Sequence, residues 1–406
     1  MIKIGKPYIE KNGNLTYLKA VVDNEGEGRK ITLFYAVENL YSQYLCHETA
    51  DAFVLPMLLR AVVSGQDIQI DAPLSEKLYH NLTHSVMYIL RFAHQKKSGI
   101  ENRAIPQIKC NGTINLNFRG EAIGTGCSLG VDGFHVIKSY IFENKEFPTY
   151  KPTHLACFNV GAFGSDNTDG TRQSFYNEFE KLQGFSQRFN LPIVLVDTNI
   201  HEFYPEHEFN WSASYLNIGC VLSLQKLWNR YLYASGFSLE NLMFDFDSSC
   251  KSDPYSCPHL STESVEIVSV DMDKPRSEKV RDIMNDPVCR EYLNVCLREQ
   301  AVNNGIRDRR QSNYNNCGYC EKCLRTILQL DIYGVLDDYK NTFDISRWNF
   351  WKPRFLARVI AYRKDDPMYE DILNTIPPEY HIPMFSRLYS KIYKPFNAIR
   401  KKITTR

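Results

Sequence analysis

The chain has 406 residues, 43% hydrophobic and 23% charged, with 48 basic residues against 47 acidic ones. That length exceeds one ordinary core and points to two or three domains, while a net charge of +1 excludes a general pull toward nucleic acid or anionic membrane. No stretch reaches the roughly 18 apolar residues that cross a bilayer, and the start lacks the apolar core of a signal peptide, so a cytoplasmic protein is expected.

Residues 1–115 read as a small α/β extension. Residues 18–22 and 31–35 are strand-length, and residues 52–63 set Phe53, Val54, Met57, Leu58, Ala61 and Val62 on one helix face, ended by Ser64-Gly65. A strand at 68–70 and a second amphipathic helix at 75–90 follow. Cys46-His47-Glu48 precedes the first helix and reads as capping, since nothing local supports a nucleophile or metal site.

Residues 116–332 have a different rhythm. A strand or its lead-in at 113–118 and the segment 121–126 run into a Gly-rich turn, then a short helix carrying Phe134, Ile137 and Ile141. Strands are predicted at 153–160, 191–196 and 262–270, and helices at 171–189, 211–235 and 288–300. This alternation predicts a parallel sheet covered by helices on both sides. Residues 333–406 predict a helical extension with Trp348, Phe350, Trp351 and Phe355 close together. From Arg387 the tail holds seven basic residues and no acidic one. Leu388, Ile392, Tyr393, Phe396 and Ile399 among those charges would suit a membrane surface or RNA, with a disordered, solvated tail the simpler expectation.

Two segments carry chemistry. Thr125-Gly126-Cys127-Ser128-Leu129-Gly130-Val131-Asp132-Gly133 lies between a predicted strand and helix, where small residues let backbone N–H groups approach phosphate oxygens. Ser128 adds a hydroxyl, and Asp132 implies a bridging Mg²⁺ or a bond that holds the loop. Asn316-Cys317-Gly318-Tyr319-Cys320-Glu321-Lys322-Cys323-Leu324-Arg325 presents three thiols at i, i+3 and i+6. Cys296, on the predicted helix 288–300, can complete a tetrahedral site for Zn²⁺, and the same pattern can hold an iron–sulfur cluster. Cys250 and Cys257 form a looser rival pair.

Ser128-x-Gly130-x-Asp132 resembles the PP-loop of the ATP pyrophosphatases, usually Ser-Gly-Gly-x-Asp-Ser; Leu129 replaces the second residue and Gly133 the last. The cysteine pattern, followed by Arg325, resembles that of the cyano-deazaguanine synthases of the queuosine pathway, which are PP-loop enzymes. The likeness spans residues 115–332 and is closer still to synthase-like proteins with an N-terminal extension. It implies a HUP-type α/β fold and splitting of ATP between its α and β phosphates with Mg²⁺. By the same resemblance Ser128, Gly130, Asp132 and Gly133 hold phosphates, the backbone at Asn159 and Val160 reads the adenine edge, and the four cysteines bind Zn²⁺.

Arg276 and Lys279, three residues apart, can share a helix face and neutralise leaving pyrophosphate, with Asp132 as the third catalytic candidate. Arg325 is a similar candidate. Asp197 ends the predicted strand 191–196, at the edge where open α/β sheets bind ligands, and His259 closes a loop. The expected activity is an AMP- and pyrophosphate-forming ligase that activates a carboxylate or amide, of a small molecule or a protein end, for a nitrogen nucleophile. A PP-loop thiolation enzyme with an iron–sulfur cluster and a nucleotide-binding scaffold or sensor are the rivals. Near-neutral charge speaks against a nucleic-acid partner.

Overall fold

A computed structural model describes residues 1–99, 104–144, 147–162, 169–204, 209–296 and 316–404. The chain packs as two compact units, residues 1–127 with 136–273, and residues 128–135 with 274–406.

The first unit is built on a mixed sheet. Its early elements are β1 (Ile2–Ile4), β2 (Tyr8–Asn12), β3 (Leu15–Asn24), β4 (Arg29–Glu38) and α1 (Asp51–Ser64). Next come β5 (Ile68–Ile70), β6 (Leu74–Ser75), α2 (Glu76–Asn81), α3 (Met87–Ser98), β7 (Ile108–Cys110) and β8 (Thr113–Ile114). The later strands are β9 (Ala122–Gly126), β10 (His154–Phe158), β11 (Ile193–Thr198), β12 (Trp228–Ala234) and β13 (Glu266–Val270). Helix α4 (Val131–Val136) follows β9, α5 (Asp169–Phe189) follows β10, α6 (Phe209–Ser223) follows β11 and α7 (Asp253–His259) follows β12.

The sheet runs β13-β12-β9-β10-β11-β4-β3-β1-β5-β7, with β2 on β3. Strands β9 to β13 pair in parallel throughout. Counted in chain order, they lie 3-2-1-4-5, so β9 is central and the order reverses beside it, as in Rossmann-like sheets. Every residue of β11 is buried, as expected of a strand covered on both faces. The N-terminal strands extend this same sheet: β4 pairs antiparallel with β11 through Asp197↔Ala36 and Thr198↔Tyr35. Asn199 fastens the junction, accepting from Phe34 N–H at 3.0 Å and donating to Thr32 O at 3.0 Å. One hydrophobic core therefore runs from Ile2 and Ile4 to Val265 and Ile267.

Helix α1 is buried over most of its surface and ends on Gly65 at φ 69. It crosses α6 closely: a Cβ on Gly219 would stand 2.9 Å from Tyr35 Oη and 3.2 Å from Ala52 O. The predicted helix 211–235 is corrected here. Helix α6 stops at Ser223, and β12 occupies 228–234 beside β9. Residues 224–234 mix large apolar side chains with Gln225, Lys226, Asn229 and Arg230, a pattern that does not separate strand from helix, and only the pairing decides.

The second unit is helical. It holds α8 (Arg276–Ile283), α9 (Pro287–Tyr292) and the helices Glu321–Ile332, Trp348–Ala361, Pro367–Asn374 and Met384–Thr404. The predicted helix 288–300 is also corrected: α9 ends at Tyr292, and residues 297–300 lie outside the described residues. The boundary at 273/274 falls inside the stretch 116–332 read from sequence as one domain, and residues 1–115 share the sheet of β9 to β13. The tail from Arg387, expected to be disordered, is helical to Thr404 as part of the helix Met384–Thr404.

Candidate functional site

The loop begins where β9 ends. Gly124 in that strand is dictated by packing, since a Cβ there would lie 2.8 Å from Trp228 and Tyr231 ring atoms. The chain then passes Cys127, whose N–H bonds Ala156 O at 2.8 Å, and enters residues 128–135 of the second unit. Ser128 is exposed, and its Oγ accepts from Gly130 N–H at 3.4 Å. Leu129 is buried at φ 53, a left-handed conformation in which the resembling motif has glycine. Its carbonyl accepts from Asn294 N–H at 2.8 Å, and Gly130 O accepts from Phe134 N–H at 2.8 Å to open α4.

Three candidate residues meet in this unit. Arg276 Nη1 bonds Asp132 Oδ2, and Lys279 Nζ lies 3.8 Å from Asp132 Oδ1. Arg276 opens α8 and Lys279 follows one turn later, so both project from the same face. Lys279 is fully buried, and Asp132 Oδ1 accepts no hydrogen bond. Burial opposes ionisation of Asp132, but Arg276, Lys279 and Lys322 together hold its carboxyl below the usual range. Arg325 stands near Arg276; burial and that like charge pull its pKa down, and its Nε has no acceptor. Glu321 and Asp366 act on Arg325 in the opposite sense. Asp371 caps α8 instead, accepting from Ser277 N–H at 2.8 Å and from its hydroxyl. Lys322 and Asp371 were not singled out from sequence; Lys322 had a signal in its place between two cysteines, and Asp371 had none.

The four cysteines also converge. The sulfurs of Cys296, Cys317, Cys320 and Cys323 lie within 4.8 Å of one another, the only such group of potential metal ligands among the described residues. Cys317 and Cys323 sulfurs are 3.7 Å apart, and Cys320 N–H donates to Cys317 Sγ at 3.3 Å. Cys320 is the N-cap of the helix Glu321–Ile332, where the helix dipole favours thiolate. Gly318 makes the turn possible: it has φ 76, and a Cβ there would fall 1.8 Å from Asp344 O.

Cys296 reaches the group from a segment that is neither helix nor strand. Asn316 arranges this, donating from Nδ2 to Leu293 O at 2.7 Å and accepting Val295 N–H on Oδ1 at 2.8 Å. Bonds with the neighbouring thiols hold Cys317 and Cys320 below the ordinary thiol value. Bonding to Cys317 raises Cys296, and burial raises Cys323. One cation at the centre would let all four ionise. The group can therefore bind a metal such as zinc.

The remaining candidates lie in the first unit. Asn159 N–H bonds Val196 O at 3.0 Å, and its side-chain amide donates to Asp197 at 2.8 Å. Asn159 and Val160 are both buried. Asp197 also accepts from Tyr176 OH at 3.2 Å and forms an ion pair with Arg172, Nε to Oδ2 at 3.3 Å. His259 bonds Tyr255 O in its own helix and stacks on that ring at 4.3 Å. Cys250 and Cys257 lie near buried Asp253, but these three are not a group of close potential metal ligands among the described residues. Burial, aided by Asp51, pushes the Cys46 thiol up to about 12, which keeps it protonated and unreactive.

Comparison of the chain with family models, with curated proteins and with solved structures finds no match.

Proposed function

We propose that the chain is an ATP-dependent adenylating enzyme of the PP-loop class, with a HUP-type fold, that activates a carboxylate or amide for attack by a nitrogen nucleophile. One observation carries this reading: Asp132, on the loop that follows the central strand of a 3-2-1-4-5 sheet, is met by Arg276 and Lys279. A triphosphate on residues 128–133 would take the two cations over from Asp132. They would then neutralise pyrophosphate as it leaves. Asp132, released, is the carboxylate suited to Mg²⁺, and the Ser128 hydroxyl is free to turn from Gly130 to a phosphate oxygen. Arg325 and Lys322 add to the positive field.

For the metal, the spacing favours Zn²⁺. Thiolates at a zinc–sulfur distance of about 2.3 Å stand about 3.8 Å apart in a tetrahedron, close to the 3.7 Å between Cys317 and Cys323. An iron–sulfur cluster has a multi-atom core and would hold the sulfurs further apart. Zinc here would join the segment of Cys296 to the helix that carries Lys322 and Arg325.

Calorimetry with ATP and Mg²⁺, followed by pyrophosphate release with candidate acids, tests the reading. Arg276→Gln and Lys279→Gln should each weaken nucleotide binding about 10- to 100-fold, the worth of a charge-assisted bond. A protein that binds no ATP is a scaffold, and the adenylation reading fails. A visible thiolate-to-iron absorption band would replace zinc with a cluster and favour the thiolation enzyme.

A further inference from the structure

Charge is unevenly distributed along this chain. Residues 384–406 contain seven cations and no acid, so residues 1–383 carry a net charge of −6 within a total of +1. The segment is helical from Met384 to Thr404, about 31 Å at 1.5 Å per residue.

One face of this helix is already used. Ser386 is fully buried, with its Oγ bonded to Pro353 O at 2.8 Å. Tyr393 meets Tyr362 edge to face at 6.0 Å, and Lys394 pairs with Asp365. These contacts fix the helix against Trp348–Ala361 and set its rotation. The row Met384, Leu388 and Ile392, spaced i, i+4 and i+8, is left outward with relative exposures of 75%, 56% and 55%; Phe385 beside it is 50% exposed. The adjoining row holds exposed Arg387 and Lys391. Four large apolar side chains flanked by cations would be costly to leave in water.

We propose that this helix docks the protein onto an anionic phospholipid surface, lying in the interface with Met384, Phe385, Leu388 and Ile392 inserted and Arg387 and Lys391 at the headgroups. A bilayer is the partner that offers an apolar layer and negative charge within a few ångströms of each other. RNA supplies the charge without the apolar layer, and the same row on a second copy supplies the apolar layer beside like cations. Among the described residues no helix is long and apolar enough to cross a membrane, so the contact is peripheral.

Vesicle co-sedimentation of the full chain tests this. Binding is expected with phosphatidylcholine mixed with phosphatidylglycerol, and little with phosphatidylcholine alone. Leu388→Asn with Ile392→Asn should abolish sedimentation while leaving the thermal melt unchanged, because both positions are exposed. Arg387→Gln and Lys391→Gln should each lower partitioning about fivefold, the effect of removing one cation near an anionic surface. Three outcomes overturn the proposal: no binding to either vesicle, equal binding to both, or an apolar double variant that binds like the parent. Self-association lost in that variant, without vesicle binding, would instead assign the face to a second copy.

Discussion

Gly318→Ala separates the geometry of the metal turn from its chemistry. A methyl at this position would sit 1.8 Å from Asp344 O, and Cβ contacts under 3.0 Å essentially never occur. The two segments must therefore part by at least about 1.2 Å, the difference between those distances. Metal–ligand distances tolerate only about 0.2 Å, so Cys317 and Cys320 cannot both follow the turn and keep their place. The positive φ of 76° adds about 1–2 kcal/mol for any side chain, and forced overpacking about 1–3 kcal/mol. Together these predict zinc affinity about 30- to 4,000-fold weaker, at 1.4 kcal/mol per decade. Competition against a chromophoric chelator measures it, with metal content per chain as a second readout. Gly334→Ala is the control: Gly334 has φ 71, but a Cβ there meets nothing within 4 Å, so only the backbone cost applies. A Gly318→Ala protein that holds zinc as tightly as the Gly334→Ala protein would refute the claim that this close approach sets the site.

Three further outcomes are expected. Asp132 is held below its ordinary pKa by Arg276, Lys279 and Lys322, so its share of stability is complete above the usual carboxylate range and is lost as pH falls through the depressed value; acid melts of Asp132→Asn should lack that loss. Asp253 is pushed up to about 7 by burial, against hydrogen bonds from Ser214 and Cys250. A raised acid favours the folded state while protonated, so stability should fall as pH rises from the ordinary carboxylate pKa, about 4, toward 7, and Asp253→Asn should flatten that slope in denaturant titrations. Gly219→Ala should destabilise the chain by about 1–3 kcal/mol in urea unfolding, because its methyl crowds Tyr35 Oη and Ala52 O, which share a 2.6 Å hydrogen bond; a neutral result would mean that α1 and α6 can part without cost.

The legible parts of this protein are those whose cause is local. Cys317, Cys320 and Cys323 lie within one turn and a helix start, so their convergence could be read from spacing alone. The wholly apolar core of β11 and the helix ended by Gly65 were likewise visible as patterns. Arg276 and Lys279 could be paired by helical periodicity, although nothing in the sequence said that the carboxylate they meet is Asp132, more than 140 positions earlier.

What tertiary structure alone decided was every choice between equally good local states. The stretch after Ser223, rich in large side chains of either kind, became β12 because β9 offered it a parallel edge. The N-terminal strands became part of the main sheet because β11 had a free edge that β4 could fill. Residues 293–296 stay outside a helix, with Asn316 satisfying Leu293 O and Val295 N–H in place of helical partners. Periodicity reports which face of a segment is apolar; backbone hydrogen-bond partners from distant segments determine what that segment becomes.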